Sequence, residues 1–422
     1  MQEYLKERED IYSRLNTWRG IQSFKAPVTF YKTVHHQGPD PLYDIKAFGA
    51  KTGLESRAAI QNTIDTAHAN GGGDVLVSDG DYICATGLTL YNDVNLIGHG
   101  YNASALHYTG SGGTFLTADG TNDEWGTRIE GIKIYTTTGN IGLYVKQVVW
   151  LTLRNCYFLG FLTDGIQLDT TGHPAPTTIC QSIIVDNCDI ESGSGQYGFR
   201  AIGTDGTTNH INIKNSRIRA NAQWNIYTTL QGVNWNISGC NLENGGAGAV
   251  YIAKPRGLVL SGNYFEQSVS GTTGIQIVGP GDGIKIDGNY FAGPGAGASS
   301  AILIGATDYV RGLSVSENSF TGWTNNIVLA NTRGARIGPN HHIDGVAHSV
   351  DSACRGIWVH GADNIALGLG SNAFVAIESG AGSPEGAVSA GPGSLYLNTN
   401  GGAGTTLYVK ESGSGNTGWV GK

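Results

Sequence analysis

The sequence contains no apolar run that reaches the roughly 18 residues needed to cross a membrane as a helix, so no membrane insertion is expected. Charged residues are scarce, at 14% of the chain, and the formal net charge is -8. No basic stripe stands out against this negative balance, which argues against a nucleic-acid partner. The start, Met1 to Tyr4, lacks the positive-then-apolar order of a secretory signal, so no recognisable signal peptide is expected.

Cysteine and histidine show no spacing typical of a metal site. Cys84, Cys180 and Cys354 stand apart from one another, and the pairs His35-His36 and His341-His342 have no partners at a recognisable spacing. We therefore predict no metal and no cofactor.

Glycine is abundant, with 65 residues, and the hydrophobic content of 40% is sufficient for an elongated core. One short phrase recurs eight times, with alternating apolar residues, a polar corner and usually a further apolar residue. The copies read LTLRNCYF, IIVDNCDI, INIKNSRI, WNISGCNL, LVLSGNYF, IKIDGNYF, LSVSENSF and ARIGPNHH. Their corner residues are Asn155, Asn187, Asn215, Gly239, Gly262, Gly288, Glu317 and Pro339. Intervals of 22 to 32 residues between corners indicate one solenoid turn per copy.

The phrase has the period of a β-strand. Apolar residues occupy every second position, as in Leu151 and Leu153, and Asn or Gly at the corner tolerates a left-handed backbone. A second strand follows the corner, and a third follows a polar loop, as at Gly165 to Leu168. Three strands per turn predict an all-β chain folded as a parallel β-helix, and the preference of parallel crossovers favours right-handed winding.

The residue after each corner is expected to point inward and to stack on its equivalents. Cys156, Cys188 and Cys240 occupy this position, which predicts a buried ladder of thiols without a redox role. Later turns place asparagine there: Asn263, Asn289, Asn318 and Asn340.

Four segments are predicted along the chain. They are an N-terminal helix and linker at 1–42, the parallel β-helix at 43–345 with a capping helix at 55–69, transition strands at 346–380, and a small C-terminal β-hairpin or assembly module at 381–422. Thr52 and Glu55 form a capping-box pattern before the helix. Such a helix would close the open end of the solenoid.

The start of the solenoid resembles the pectate-lyase-like β-helix superfamily, which includes bacteriophage tailspikes that cleave capsule or O-antigen polysaccharide. The resemblance covers about residues 43–345 and is carried by Phe48-Gly49-Ala50, Gly71-Gly72-Gly73, Gly80-Asp81-Tyr82 and Val94 to Gly100. It implies a bacterial surface polysaccharide as the partner. The NTD, DD and RIK elements of polygalacturonases and the regular Asp ligands of calcium-dependent pectate lyases are absent.

The C-terminal sequence is similar to a short terminal module of phage tail and receptor-binding proteins, in which chains assemble as trimers. Two alternating strands, at Ser394 to Asn398 and Thr405 to Lys410, flank a turn and predict a hairpin. This resemblance implies a homotrimer located in the virion tail or outside the cell.

Two outward rows follow from counting beyond each corner. Four residues beyond the corner lie Leu159, Glu191, Arg219, Glu243, Glu266, Ala292 and Thr321. Two residues beyond it lie Tyr157, Asp189, Arg217, Asn241, Tyr264 and Tyr290. Together the rows predict a patch of acids, arginines and aromatic rings, a mixture suited to sugar recognition.

Paired carboxylates suit glycoside hydrolysis, at ~5 Å for retention and ~6.5–9.5 Å for inversion. Glu243 and Glu266 lie one turn apart, and Glu191 and Glu243 lie two turns apart. We predict these three glutamates as catalytic with Asp189 in support. Arg217, Arg219 and Tyr264 are predicted to bind substrate. The alternative is a solvated charge ladder in which Arg219 neutralises its neighbours.

A second outward row follows the third strand: Gln167, Arg200, Tyr227, Tyr251 and Gln276. Trp224 is expected in the loop before Tyr227. Arg200, Trp224, Tyr227 and Tyr251 are therefore candidate substrate-binding residues, although tyrosine is also common on exposed strands.

The sequence leaves four functions open. The first is a polysaccharide depolymerase that hydrolyses glycosidic bonds within the chain. The second is a lyase on the same patch, with Arg219 neutralising a uronate and Tyr264 abstracting a proton. The others are a non-catalytic glycan-binding tail fibre or adhesin and a secreted pectate-lyase-like enzyme.

Overall fold

The computed structural model describes residues 42–422 except 121–123, 172–178, 194, 204–206, 296, 298, 306–307, 343–345, 352, 361–363 and 369–373. The predicted N-terminal helix and almost all of the segment 1–42 lie outside the described residues. The described chain is an all-β parallel β-helix, as predicted.

Each full turn of the solenoid contributes one strand to each of three parallel sheets. The first sheet contains Leu42–Asp44, Gly73–Val77, Val94–Gly98, Glu124–Glu130, Val149–Arg154, Ile179–Asp186, Thr207–Lys214, Asn236–Ser238, Gly248–Ser261, Gly281–Asp287, Val310–Ser316, Thr332–Ile337 and Arg355–His360. The second contains Gly80–Cys84, Ser104–Tyr108, Lys133–Thr136, Tyr157–Leu159, Asp189–Glu191, Arg217–Arg219, Asn241–Glu243, Tyr264–Glu266, Tyr290–Ala292, Ser319–Thr321 and His341–His342. The third contains Leu88–Leu90, Thr114–Asp119, Ile141–Lys146, Asp164–Asp169, Tyr197–Ile202, Trp224–Val233, Thr273–Ile277, Ser300–Ile304, Asn325–Leu329 and Val346–Val350. The long strand Gly248–Ser261 runs through the third sheet into the first.

The corners between the first and second sheets have the predicted left-handed backbone. Asn155 and Asn187 have φ of 53°, and even Glu317 has φ of 56°. Pro339 is the exception among the eight corner residues, because its ring holds φ negative. Seven of the eight corners are thus confirmed, and they set the register of the short strands that follow them.

Ladders of identical or similar side chains fill the interior. The rings of Phe265 and Phe291 stack with their centroids 4.5 Å apart, and Phe320 continues the stack at 5.0 Å. Cys156, Cys188 and Cys240, which were predicted to point inward after their corners, are free and buried, and Ser216 occupies the turn between Cys188 and Cys240. Stacking of neighbouring coils therefore buries a continuous apolar core.

The asparagines of the later turns form a hydrogen-bonded ladder in the core. Asn263 Nδ2 donates to Asn289 Oδ1 at 3.0 Å, and Asn289 Nδ2 donates to Asn318 Oδ1 at 2.9 Å. Each of these amides also donates to a main-chain carbonyl, that of Asn289 to Leu260 at 2.9 Å. The buried asparagine ladder is stable because its amide groups have hydrogen-bond partners.

A helix at Arg57–Ala69 and a short 3-10 helix at Ile45–Phe48 precede the first full coil. The predicted capping box is wrong. Ser56 is the N-cap residue, and the Glu55 carboxylate accepts hydrogen bonds from Arg57 N at 3.1 Å and Ala85 N at 2.9 Å. Glu55 thus links the helix start to the neighbouring coil. Neither helix of the described chain is long and apolar enough to span a membrane.

The parallel ladder continues beyond residue 345, the expected end of the solenoid. Val346–Val350 and Arg355–His360 each pair in parallel with the preceding turn. Antiparallel pairing then begins at Asn364–Gly368 and Phe374–Gly380.

The predicted C-terminal hairpin is confirmed. Leu395–Asn398 and Leu407–Lys410 are antiparallel, and Trp419–Gly421 adds a further strand. Ala390, Tyr396 and Trp419 form a small separate apolar cluster.

Candidate functional site

The outward side of the second sheet brings the predicted acids and arginines together. The register pairs Glu191 with Arg219, Arg219 with Glu243, and Glu243 with Glu266. We call these four residues the carboxylate row. Beside it runs the mixed row Tyr157, Asp189, Arg217, Asn241, Tyr264 and Tyr290.

Two of the four predicted acids are held by arginines. Glu191 Oε2 lies 2.7 Å from Arg219 Nη2. Two guanidinium nitrogens of Arg217, Nε and Nη2, contact the two carboxylate oxygens of Asp189. Tyr157 also donates to Glu191 at 3.0 Å, and burial together with this hydrogen bond raises the pKa of Tyr157 to about 12. The negative charges of Asp189 and Glu191 are thus largely compensated within the protein.

Glu243 and Glu266 differ from these paired acids. The Tyr264 hydroxyl donates to Glu266 Oε2 at 2.9 Å, and this hydrogen bond, with burial, raises the pKa of Tyr264 to about 12. The Glu243 carboxylate accepts no hydrogen bond and makes no ion pair within the described part of the chain. Adjacent turns therefore present one anchored glutamate and one available glutamate.

Two polar atoms beside Glu243 also lack partners among the described residues. Arg219 Nε and Asn241 Oδ1 are both buried without a hydrogen bond. Arg219 is the register partner of Glu243, and Asn241 lies on the same strand. An unpaired buried polar group is costly, so these two atoms mark an unusual polar environment beside Glu243.

The outward row of the third sheet, Gln167, Arg200, Tyr227, Tyr251 and Gln276, has the predicted register. Its aromatic rings pack against one another. Tyr227 stacks on Tyr251 with ring centroids 4.9 Å apart, and Tyr197 lies 4.8 Å from Tyr227. Tyr227 and Tyr251 are stacked and cover a face of each other, whereas the ring of Tyr197 is tilted by 39° against that of Tyr227. Trp224 lies in the strand Trp224–Val233 and not in a loop, and only 9% of it is exposed. Its indole packs 5.4 Å from Tyr251 as a support.

A buried carboxylate beneath this row was not predicted from the sequence. Asp164 is fully buried and pairs with Arg200, with Oδ2 2.7 Å from Nη2, while Gln167 donates to the same oxygen. Burial raises the pKa of Asp164 to about 6, although Arg200 opposes the shift. Asp164 Oδ1 and Arg200 Nε have no partner in the described structure.

The sequence held a signal for this cluster. Asp164 and Tyr197 are register partners, and each lies three residues before a member of the outward row, Gln167 or Arg200. The guanidinium of Arg200 also lies over the ring of Tyr197 at 4.7 Å.

Comparisons with known proteins show the fold. No family model matches the sequence, and no curated protein matches it. The chain is similar to DFA-IIIase from Arthrobacter chlorophenolicus A6, solved in complex with GF2, with a TM-score of 0.52 and 12% identity over 75% of this chain and 93% of that chain.

Two phage proteins are also similar in structure. ORF18 of Geobacillus virus E2 matches with a TM-score of 0.49 and 14% identity, over 90% of this chain and 75% of that chain. The gp42 tailspike of Acinetobacter phage vb_AbaP_AS12 matches with a TM-score of 0.49 and 11% identity, over 89% and 76% respectively. At these identities the likeness concerns the parallel β-helix fold alone.

Proposed function

We propose that this protein binds a bacterial surface polysaccharide and depolymerises it by hydrolysing glycosidic bonds within the chain. The pairing of Glu243 with Glu266 carries the proposal. Their strands are adjacent and in register, and neighbouring strands lie ~4.8 Å apart. This spacing is close to the ~5–5.5 Å between the two carboxyl groups of retaining glycosidases.

The different surroundings of the two glutamates suit different roles. Glu266, oriented by Tyr264, would attack the anomeric carbon as a carboxylate while Glu243 donates its proton to the leaving glycosidic oxygen. Water, deprotonated by Glu243, would then hydrolyse the glycosyl-enzyme ester and release Glu266. Arg219 and Asn241 are partly exposed, and their accessible atoms would contact sugar hydroxyls beside the reacting bond.

Asp189 and Glu191 have a supporting role in this proposal. Their ion pairs hold Arg217 and Arg219 at the edge of the site. A carboxylate that is already paired with an arginine is a poor proton donor, because the arginine favours its charged form. We therefore assign the proton transfers to Glu243 and the positioning of the arginines to Asp189 and Glu191.

The lyase alternative requires Tyr264 to abstract a proton. Its hydroxyl instead donates to Glu266, and this bond raises the pKa of Tyr264 to about 12. A general base works best with a pKa near the working pH, so this environment weighs against Tyr264 as the base. Hydrolysis is accordingly the favoured reaction.

We also propose that the protein is a homotrimer in the virion tail. This proposal rests on the similarity of the C-terminal sequence, Gly393 to Val420, to terminal modules of phage tail proteins. Sedimentation of the full chain tests it, and a monomer at working concentration would contradict it.

The test of the function is incubation of the full chain with a panel of capsular and O-antigen polysaccharides. Chain length, new reducing ends and ultraviolet absorbance are followed together. Shortening with new reducing ends and no ultraviolet absorbance supports hydrolysis. An ultraviolet-absorbing unsaturated product would mean a lyase. Binding without shortening across the panel would favour a glycan-binding fibre or adhesin.

A further inference from the structure

Five consecutive strands of the first sheet contain the same short pattern, an arginine or aspartate followed by glycine and an apolar residue. The copies read RGLVL, DGIKI, RGLSV, RGARI and RGIWV. The register stacks their first residues in the order Arg256, Asp282, Arg311, Arg333 and Arg355. The expectation that the chain has no basic stripe is therefore wrong. The stripe escapes notice because turns of the solenoid separate its members in the sequence.

The glycine after each of these residues fixes the direction of the stripe. Gly312 has φ of 62° and Gly334 has φ of 67°, in the left-handed region. Glycine adopts this conformation at little cost, and it bends the backbone so that Arg311 points outward although it lies two positions before the buried Leu313. Glycine follows each of the four arginines, and all four are exposed at the same register position of the first sheet.

The stripe is costly for the fold. Like charges directly opposite each other on neighbouring strands are destabilising, yet Arg311, Arg333 and Arg355 are consecutive. Asp282 is the only acid in this column, and it pairs with Arg311 at 2.8 Å. The ring of Tyr309 lies between two of the cations, 4.9 Å from the guanidinium carbons of both Arg311 and Arg333. A repeated local cost of this kind points to a function.

A neighbouring outward position adds a further cation and an exposed aromatic ring. Arg336 and Trp358 are register partners three residues beyond Arg333 and Arg355. Arg336 is exposed, and Trp358 is 53% exposed, one of the most exposed large apolar side chains of the described chain. We call Tyr309, Arg311, Arg333, Arg336, Arg355 and Trp358 the arginine surface.

We propose that the arginine surface binds a carboxylate-bearing polysaccharide. Guanidinium groups match carboxylates in charge and geometry, and an exposed indole offers an apolar face to a sugar ring. The arginines recur at one strand spacing, ~4.8 Å, so they can contact successive acidic units of a polymer laid along the solenoid. The formal net charge of the whole chain, -8, opposes a densely charged polyphosphate and favours a sparser polyanion.

This inference rests on the proposed function only in taking the polymer to be a polysaccharide. The arginine surface is on the first sheet, whereas Glu243 and Glu266 are on the second. Binding and cleavage can therefore fail separately. Glu243→Gln should keep the full affinity for an acidic polymer even where it abolishes cleavage.

The test measures binding of the full chain to polygalacturonate, alginate and hyaluronate, with dextran as the neutral polymer and single-stranded oligothymidylate as the nucleic acid. At least one acidic polysaccharide should bind, dextran should not, and added salt should weaken binding. Loss of two charge-assisted contacts in the Arg333→Gln, Arg336→Gln double variant should weaken it at least about tenfold.

Arg128→Gln is the matched control, because Arg128 is also on the first sheet and 45% exposed but lies several turns away. Its affinity should stay within about twofold of that of the unchanged protein. Absence of binding to all three acidic polysaccharides, or equal losses in the control and the double variant, would overturn the proposal. Equal or tighter binding of oligothymidylate would assign the surface to nucleic acid instead.

Discussion

The Tyr264 hydroxyl donates a hydrogen bond of 2.9 Å to Glu266 Oε2. This contact distinguishes Glu266 from its register partner Glu243, which projects from the same position of the adjacent turn. Two carboxylates in different surroundings can take different parts in one reaction. The parallel register sets the spacing between Glu243 and Glu266, and the hydrogen bond from Tyr264 makes their surroundings different.

Removing the Tyr264 hydroxyl should slow turnover. In Tyr264→Phe, Glu266 loses a hydrogen bond to a charged group, a contact worth about 1.5–3 kcal/mol, so we expect kcat to fall at least about tenfold. KM should change less, because the proposed role is to orient Glu266. The steady-state parameters on the polysaccharide that is cleaved measure both effects.

Tyr290→Phe is the control for that variant. Tyr290 stacks on Tyr264 with ring centroids 5.7 Å apart and is 40% exposed. Its loss of a hydroxyl should leave kcat nearly unchanged. Equal effects of the two substitutions, or no effect of either, would contradict the role given to Tyr264.

Glu191→Gln should be milder than any change at the proposed acid. The charge of Glu191 is already compensated by Arg219 at 2.7 Å, so we expect kcat within about tenfold of the unchanged protein. That effect is below the ~10²-fold minimum typical of an acid–base group. Rates for purified Glu191→Gln and Asp189→Asn measure it. A loss of about 100-fold or more in Glu191→Gln, with inversion at the anomeric carbon, would instead favour Glu191 and Glu243 as the catalytic pair.

The buried Asp164 should make stability depend on pH. Burial raises its pKa to about 6, from an ordinary value of 3.8. The folded state therefore holds this proton more tightly than the unfolded state does. Its contribution to stability is fully present below about pH 4 and is lost as the pH rises through about 6. We expect the melting temperature to fall over that range.

The Asp164→Asn variant tests this assignment. An amide cannot titrate, so the fall in melting temperature between about pH 4 and pH 7 should become smaller. Asp308→Asn, at an exposed site, should retain the full dependence. Identical pH profiles for the unchanged protein and Asp164→Asn would contradict the assignment.

The sequence predicted the second sheet well because its strands follow the corners directly. Once Asn187 and Asn215 fix two successive corners, Glu191 and Arg219 must be neighbours. The pairing of their side chains depends on rotamers and could only be proposed. Left-handed residues also lie between the second and third sheets, such as Gly160, Ala220 and Asn244, but their residue types vary and so do the lengths of the intervening loops. Trp224 was therefore assigned to a loop and Asp164 was missed.

The arginine stripe shows a different limit. Arg311 and Arg333 lie 22 residues apart in the sequence and become neighbours only through the register of the first sheet. The composition gives only the net charge of the chain and does not show which arginines become neighbours on the sheet. The repeated Arg-Gly dipeptide was the available signal, since it precedes the apolar residues of four of these first-sheet strands.

The rate of chain shortening by Glu243→Gln tests the central claim most directly. A glutamine cannot transfer the proton, so turnover should fall at least ~100-fold on the polysaccharide that the unchanged protein cleaves. The melting temperature and the affinity for the polymer should be unchanged, and Glu130→Gln, on the first sheet, should cleave normally. A Glu243→Gln protein that folds normally and shortens the polymer at the unchanged rate would contradict the account.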